Sequence, residues 1–151
     1  MSAIELKKSF EEARNDIIKL EQVMMAMPER RIHIEPKHYF APGIYMREIF
    51  IPKGVTLTGK IHKTEHMCVL SQGKVRVWNG DGTKTLIASS VVPSSPGVKR
   101  AIHAIEDSVW INVHHNPENI RDLEQIEKYY VSNSLPEFLE FTEQNKLEGV
   151  K

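Results

Sequence analysis

The chain has 151 residues, 40% of them hydrophobic, which is enough for one domain with a core of its own. Lysine plus arginine and aspartate plus glutamate both number 20, so the formal net charge is zero and a general nucleic-acid binder is not expected. A single cysteine excludes an internal disulfide. No signal peptide is visible, and no apolar run approaches the ~20 residues that span a bilayer, so we expect a cytoplasmic protein that is not inserted in a membrane.

Residues 2–27 are predicted to form a helix, within an N-terminal unit of residues 1–28. Ser2 and Glu5 have the spacing of a capping box. Apolar residues then recur at alternating spacings of four and three, as Leu6, Phe10, Ala13, Ile17, Leu20, Met24 and Met27. Pro28 is expected to end the helix. A seam this narrow leaves two alternatives open: the helix packs on its own domain, or it packs on a second copy of the chain.

Residues 40–115 are predicted to form a β-barrel. Short segments bounded by Gly, Pro, Asn, Asp or Ser are typical of strands. The segments of this kind are GIYMREIFI at 43–51, VTLTGKI at 55–61, HMCVL at 66–70, KVRVW at 74–78, KTLIASSVV at 84–92, KRAIHAI at 99–105 and SVWINVHH at 108–115. NGDG at 79–82 predicts a hairpin turn, because Asn and Gly tolerate positive φ, and SSPG at 94–97 predicts another turn. Many short strands without helices between them favour a β-sandwich or barrel.

Residues 116–148 are predicted to return to helix. Asn116 is a suitable N-cap and Pro117 suits the first helical position. Ser134 and Glu137 form a second capping-box pattern, which opens a further helix. The first of these helices would carry one apolar stripe, formed by Ile120, Leu123, Ile126 and Tyr130. These helices and the preceding units are expected to form one globular domain.

Two histidines four residues apart, His62 and His66, precede a predicted strand, and His103 lies on another. A metal site needs several neutral imidazoles or carboxylates that converge on one point. If the turn between His62 and His66 keeps the phase, three inward imidazoles would suit zinc, nickel, iron, manganese or copper. The same histidines would alternatively line a pocket, or bond to one another, without a metal.

Tyr45 and Arg47 are either pocket residues or ordinary residues of an exposed sheet face. Tyr45 and Arg47 share one face of the strand at 43–51, where they would meet a polar ligand if that face points inward. An exposed sheet face explains them equally well.

The remaining histidines and the cysteine are expected outside any ligand set. His114 and His115 end a strand, so we expect them at its rim. His33 and His38 lie in a polar connection and are expected to be solvated. Cys68 is flanked by apolar residues and is expected to be a buried small hydrophobe rather than a nucleophile.

The region of the histidines resembles the cupin superfamily. The first cupin motif runs Gly, five residues, His-x-His, three or four residues, Glu, six residues, Gly, and residues 54–73 match it in outline. The similarity covers roughly residues 40–115. More narrowly, YMREIFIPKGVTLTGKIHKTEH, at 45–66, is similar to small single-domain cupins of phages and prophages.

The resemblance assigns motif positions to residues of this chain. Counting back from Gly73, the glutamate position falls on His66, the second histidine on His62 and the first on Lys60. The second motif, a Pro-Gly turn followed by a histidine, is echoed by PSSPGVKRAIHAIED, which carries His103. The implied metal ligands are therefore His62, His66 and His103. An ammonium at Lys60 is unfavourable beside a divalent cation unless it points away or loses its proton.

The resemblance implies a mainly β fold, a cupin-like double-stranded β-helix, or jelly-roll barrel, with an N-terminal helix and C-terminal helices. It implies a protein that binds a divalent metal or a small polar ligand inside the barrel. The candidate pocket residues are Lys60, at the position of the first motif histidine, and Tyr45 and Arg47, if their strand face points inward. In an enzyme, the metal would act as a Lewis acid on a small oxygenated substrate.

Two alternatives stay open at the level of the sequence. One is a non-enzymatic accessory or phage-associated protein without a metal, which would oligomerise through its helices in the host cytoplasm. The other is a binding module in which Lys60 pairs with an anionic substrate. The helical seam of residues 6–27 favours a homodimer in which the first helix contributes to the interface.

Overall fold

The computed structural model describes residues 2–27, 29, 31–80 and 82–149. Helix α1 spans Ala3–Met25, α2 spans Leu123–Tyr130 and α3 spans Leu135–Gly149. The strands are β1 (Lys37–Ala41), β2 (Gly43–Ile51), β3 (Thr56–Thr58), β4 (Ile61–His62), β5 (His66–Gln72), β6 (Lys74–Trp78), β7 (Thr83–Ile87), β8 (Ser90–Ser94), β9 (Ala101–Ala104), β10 (Ser108–Asn116) and β11 (Val131–Ser132). Among the described residues, no helix is both long enough and apolar enough to cross a membrane.

The strands form two facing antiparallel sheets and a short ribbon. The first sheet has five strands in the order β1-β2-β10-β5-β8, and the second has four in the order β3-β9-β6-β7. The ribbon pairs β4 with β11. The core lies between the sheets and consists of Ile49, Ile51, Cys68, Leu70 and Trp110 from the first and Val75, Val77, Ile102 and Ala104 from the second. The predicted β fold with flanking helices is confirmed.

Several strands begin and end where the sequence predicts them. β2 spans Gly43–Ile51 and β6 spans Lys74–Trp78, and the valines of β6 face the core as alternation requires. Cys68 is buried in the same core, which confirms that it acts as a small hydrophobe. The predicted segment at 84–92 is instead divided, because β7 ends at Ile87 and β8 begins at Ser90.

The sequence reasoning missed β1. Residues 37–41 pair in full with β2, with Phe40 opposite Tyr45 and His38 opposite Arg47. Burial alternates along β1, so His38 and Phe40 are partly buried while their neighbours are exposed. The expectation that His38 is solvated is therefore wrong, because its ring stacks against that of Tyr45 and bonds to the Tyr45 hydroxyl.

The C-terminal segment differs from the prediction at its start. Asn116 ends β10, and its side-chain amide bonds both the N–H and the C=O of Ile120, which closes a loop instead of capping a helix. α2 begins only at Leu123, with Asp122 as its N-cap. The second cap is confirmed, because the Ser134 hydroxyl accepts a bond from the N–H of Glu137.

Helix α1 begins with the predicted capping box and lies against its own barrel. The Ser2 hydroxyl accepts from the N–H of Glu5, whose carboxylate accepts from the N–H of Ser2. Ala13 and Ile17 are buried, and a Cβ on Gly80, at φ +105°, would overlap the backbone of Ser9 in α1. The close approach explains why the hairpin turn needs a glycine there. Pro28 lies outside the described residues.

Polar contacts fix the orientation of α1. The buried ammonium of Lys99 lies 2.6 Å from the carboxylate of Glu21, which also accepts a bond from the Thr58 hydroxyl. The Arg14 guanidinium donates to the carbonyl of Gly97. Of the two alternatives for the seam, the structure supports packing on the helix's own domain, and the homodimer stays a prediction.

Replacing Ile17 with Ala should lower the free energy of unfolding by about 2–5 kcal/mol, because Ile17 is 0% exposed on the side of α1 that packs against the barrel. Leu20 is 37% exposed, so Leu20→Ala is the matched control and should cost less than about 1 kcal/mol. Urea denaturation followed by circular dichroism measures both. Equal effects at Ile17 and Leu20 would contradict this packing.

Candidate functional site

Imidazoles from separate strands meet at one end of the barrel. His62 ends β4, His66 begins β5 and His114 lies near the end of β10. The centroid of the His66 ring lies 4.2 Å from that of His62 and 4.6 Å from that of His114. One ring nitrogen of each histidine lies within 4.8 Å of the others. We call these residues the histidine cluster.

Backbone bonds hold each member of the cluster. His62 pairs with Val131 of β11, and its carbonyl accepts a bond of 2.9 Å from the N–H of Gly97. His66 lies opposite Ser94 of β8. His114 lies opposite Tyr45 of β2 and points inward. The cluster therefore depends on long-range strand pairing rather than on one loop.

The histidines of the cluster are neutral at physiological pH. Burial lowers the pKa of each imidazole, to about 2 for His62, about 4 for His66 and about 3 for His114. After burial, the neighbouring His66, His114, Arg100 and Arg47 lower the pKa of His62 further. Neutral imidazoles keep the lone pairs that a metal ion requires.

The hydrogen bonds of the cluster leave nitrogens available. Nδ1 of His66 lies 3.3 Å from the carbonyl oxygen of Thr64, so it carries the proton and leaves Nε2 as an acceptor, 3.5 Å from the Cys68 thiol. A backbone carbonyl on the distal nitrogen is the usual support for a ligating histidine. Nδ1 of His114 is buried without a hydrogen-bond partner in the part of the chain that the structure describes.

The spacing of these nitrogens suits one transition-metal ion. Two nitrogens bound to the same tetrahedral zinc at ~2.0–2.1 Å are about 3.3 Å apart. The separations of up to 4.8 Å in the cluster reach that distance if each side chain moves by about 1 Å toward a shared ion. The buried, unpartnered Nδ1 of His114 also fits a ligand role, because an orphaned buried polar atom is costly. The residues therefore fit a divalent metal.

A cavity of about 480 Å³ adjoins the cluster inside the barrel. Tyr45, Arg47 and Lys60 all line it, together with His62 and His114. Residues of α2 lie over the cavity, and its walls include Ile49, Leu57, Ile102 and Trp110. The sequence-based pocket residues and the cluster thus share one interior space.

The ammonium of Lys60 contacts residues of the C-terminal segment that lies over the cavity. Its ammonium pairs with the carboxylate of Glu127 on α2 and lies 3.2 Å from the side-chain oxygen of Asn133. Burial, followed by the nearby Arg47, lowers the pKa of Lys60. Lys60 therefore belongs to a link between β4 and α2, and its charge is compensated.

Solved structures share this architecture, although no protein-family model and no curated protein matches the sequence. KdgF from Halomonas sp. aligns at a TM-score of 0.51 with 15% identity, over 63% of this chain and 88% of that one. A cupin 2 conserved barrel domain protein from Salinispora arenicola aligns at 0.48 with 11% identity, over 66% and 92%. A cupin superfamily protein from Desulfitobacterium hafniense aligns at 0.48 with 10% identity, over 57% and 80%. The chain has a cupin-like fold. At these identities the likeness concerns the fold alone and not the chemistry.

The cupin barrel does not bring His103 to the cluster. On β9 the neighbouring Ile102 and Ala104 face the core, so alternation turns His103 to the outer face of the sheet. There its Nδ1 lies 2.8 Å from the hydroxyl of Thr56. The expected trio of His62, His66 and His103 is therefore not the set that the structure assembles.

His114 takes the place expected for His103, although the sequence reasoning put it at the rim. Trp110 and His114 share the inner face of β10, but Val109, Ile111 and Val113 make the other face apolar as well, so alternation alone gave no signal. His115, with the opposite phase, is exposed as expected for a rim residue.

Other residues around the cavity were also missed. Nδ1 of His38 lies 2.7 Å from the hydroxyl of Tyr45, and alternation with Phe40 in β1 was the available signal. The Tyr130 ring lies 4.6 Å from that of His114, and its hydroxyl donates to the carbonyl of His115. Arg100 lines the cavity from a segment without regular structure, where no local pattern separates it from a surface arginine.

Proposed function

We propose that this cupin-fold protein binds a divalent transition metal through His62, His66 and His114, beside a cavity that holds a small ligand. The observation that carries the proposal is the buried, unpartnered Nδ1 of His114 next to two other neutral imidazoles. Imidazole ligation is compatible with zinc, nickel, iron, manganese or copper. The all-nitrogen set argues against calcium or magnesium, which prefer oxygen ligands.

Three protein ligands are characteristic of a metal site that keeps a position open for a small molecule. A metal bound there would polarise an oxygen atom of the ligand. The chain's own residues would orient that ligand: the walls exclude water, and the hydrogen-bonded pair of His38 and Tyr45 offers a proton donor and acceptor at the cavity surface. If the protein is an enzyme, its substrate is a small oxygenated molecule.

Wild-type protein purified without an affinity tag should bind about one zinc ion per chain. His62→Ala and His114→Ala should each lose most of this zinc while remaining folded, because each removes one ligand. His103→Ala is the matched control, since His103 lies on the outer face of the barrel. Elemental analysis and calorimetric titration with zinc measure the result.

The metal proposal fails if His114→Ala retains as much zinc as the wild type. It also fails if His103→Ala loses as much as the two cluster variants, because the binding would then lie elsewhere. Circular dichroism of each variant separates loss of a ligand from loss of the fold.

Assembly as a homodimer is a second candidate function, and the outer face of the five-stranded sheet supports it. Apolar residues of neighbouring strands are adjacent there, with Val113 between Met46 and Met67 in the register. Phe50 and Met67 are 49% and 41% exposed on this face. A contiguous exposed apolar patch is a common mark of a protein interface. This face is a better candidate than the buried part of α1.

The double variant Phe50→Glu, Met67→Glu should be a monomer, because it places carboxylates in a desolvated interface. Ile87 is 62% exposed on the other sheet, so Ile87→Glu is the control and should keep the wild-type mass. Light scattering after gel filtration measures both. A folded double variant with the wild-type dimer mass, or a wild type that is itself monomeric, would rule out this interface.

A further inference from the structure

The cavity beside the histidine cluster carries an excess of positive charge. Arg47, Lys60 and Arg100 line it, and Glu127 is the only carboxylate among the described lining residues. Glu127 pairs with Lys60. The guanidinium groups of Arg47 and Arg100 are therefore left without a counter-charge in the lining.

Arg100 is a built-in part of the cavity wall. It is only 9% exposed, and its two guanidinium bonds go to neutral groups, the hydroxyl of Ser94 at 2.8 Å and the carbonyl of Pro93 at 3.4 Å. A guanidinium has five N–H donors, so these two bonds do not exhaust it. A buried charge without a charged partner is costly, and an anionic ligand would offset that cost.

Arg47 approaches the same space from β2, on the face that carries Tyr45 and Ile49. No carboxylate pairs with it within the part of the chain that the structure describes. Arg47 and Arg100 line the same cavity as His62 and His114. The two guanidinium groups therefore share one interior space with the histidine cluster.

A divalent cation in this cluster would meet only neutral protein ligands, with the positive charges of Arg47 and Arg100 in the lining of the same cavity. Like charges repel, and the repulsion is least screened at the buried Arg100, whereas Arg47 is exposed. The repulsion is relieved if an anion binds at the same time, since it attracts both the metal and the guanidinium groups. Ile49, Leu57, Ile102 and Trp110 give the cavity an apolar wall, which suits an apolar ligand body.

We infer that the cavity binds a small organic acid with an apolar body, whose carboxylate lies between the metal site and Arg47 and Arg100, and that acid and metal strengthen each other's binding. The coupling rests on the proposed metal function, whereas recognition of the carboxylate by Arg47 and Arg100 does not. The coupling must be reciprocal, because the two binding free energies are linked.

The first experiment compares two ligands of similar shape, of which only one carries a negative charge. Calorimetric titration of zinc-loaded wild-type protein with 3-phenylpropionate should give an affinity at least about ten-fold higher than titration with 3-phenylpropanamide. Inorganic phosphate, which has no apolar body, should bind more weakly than 3-phenylpropionate. Equal affinity for the acid and its amide overturns the inference, and so does tighter binding of phosphate.

The second experiment changes the charge of the wall. Arg47→Gln should weaken 3-phenylpropionate binding about ten-fold and, with no organic acid present, should strengthen zinc binding, because a positive charge near the metal is removed. Arg47→Lys keeps the charge and should leave zinc affinity near that of the wild type. Arg76→Gln, on the outer face of β6, is the matched control and should change neither affinity. Identical results for Arg47→Gln and Arg76→Gln overturn the inference.

Titrations of metal-free protein separate this inference from the metal proposal. If zinc fails to bind the wild type but 3-phenylpropionate still binds in preference to its amide and is weakened by Arg47→Gln, the metal proposal fails and the acid site stands. If zinc binds as proposed but the acid has no advantage over the amide, the metal proposal stands and the acid site fails. If both bind but saturating acid leaves zinc affinity unchanged, the coupling fails.

Discussion

The register of β10 determines both the core and the histidine cluster. β10 is hydrogen-bonded on one side to β2 and on the other to β5, so its inward side chains are fixed by two ladders. Trp110 fills the core, its indole N–H donates to the side chain of Asn112 at 3.0 Å, and His114 follows on the same face. A shift of one residue would turn all three outward. Burial of Trp110 therefore fixes the register of β10, and the same register places His114 in the histidine cluster.

Local periodicity explains which parts of this fold the sequence predicts and which it does not. β2 and β6 follow from alternation alone, because each has one apolar face. The segment 99–105 has apolar residues in both phases, so only packing against the opposite sheet decides that Ile102 and not His103 faces inward. β10 is ambiguous in the same way, because Val109, Ile111 and Val113 offer an apolar face opposite to that of Trp110. Only packing decides that Trp110, and with it His114, faces inward.

The charges around the cavity come from distant parts of the chain, which is why no motif contains them. Arg47 belongs to β2, Arg100 follows the turn after β8, and Glu127 lies on α2, 67 residues from its partner Lys60. One of the alternatives that the sequence leaves open pairs Lys60 with an anionic substrate. The structure instead neutralises Lys60 with Glu127 and leaves the guanidinium groups facing the cavity. The whole chain thus has no formal net charge, whereas the lining of the cavity has more positive than negative side chains.

The C-terminal segment completes the site rather than merely covering it. β4 is only two residues long and is held by β11, while the N–H of Lys63 donates to the carbonyl of Tyr130 at 2.7 Å. The hydroxyl of Tyr130 donates in turn to the carbonyl of His115, beside His114. One residue at the end of α2 is therefore bonded next to both His62 and His114. Because the two-residue ribbon has few bonds of its own, the separation of these imidazoles depends on where α2 docks. The position of α2 and the geometry of the histidine cluster are consequently coupled through these backbone bonds.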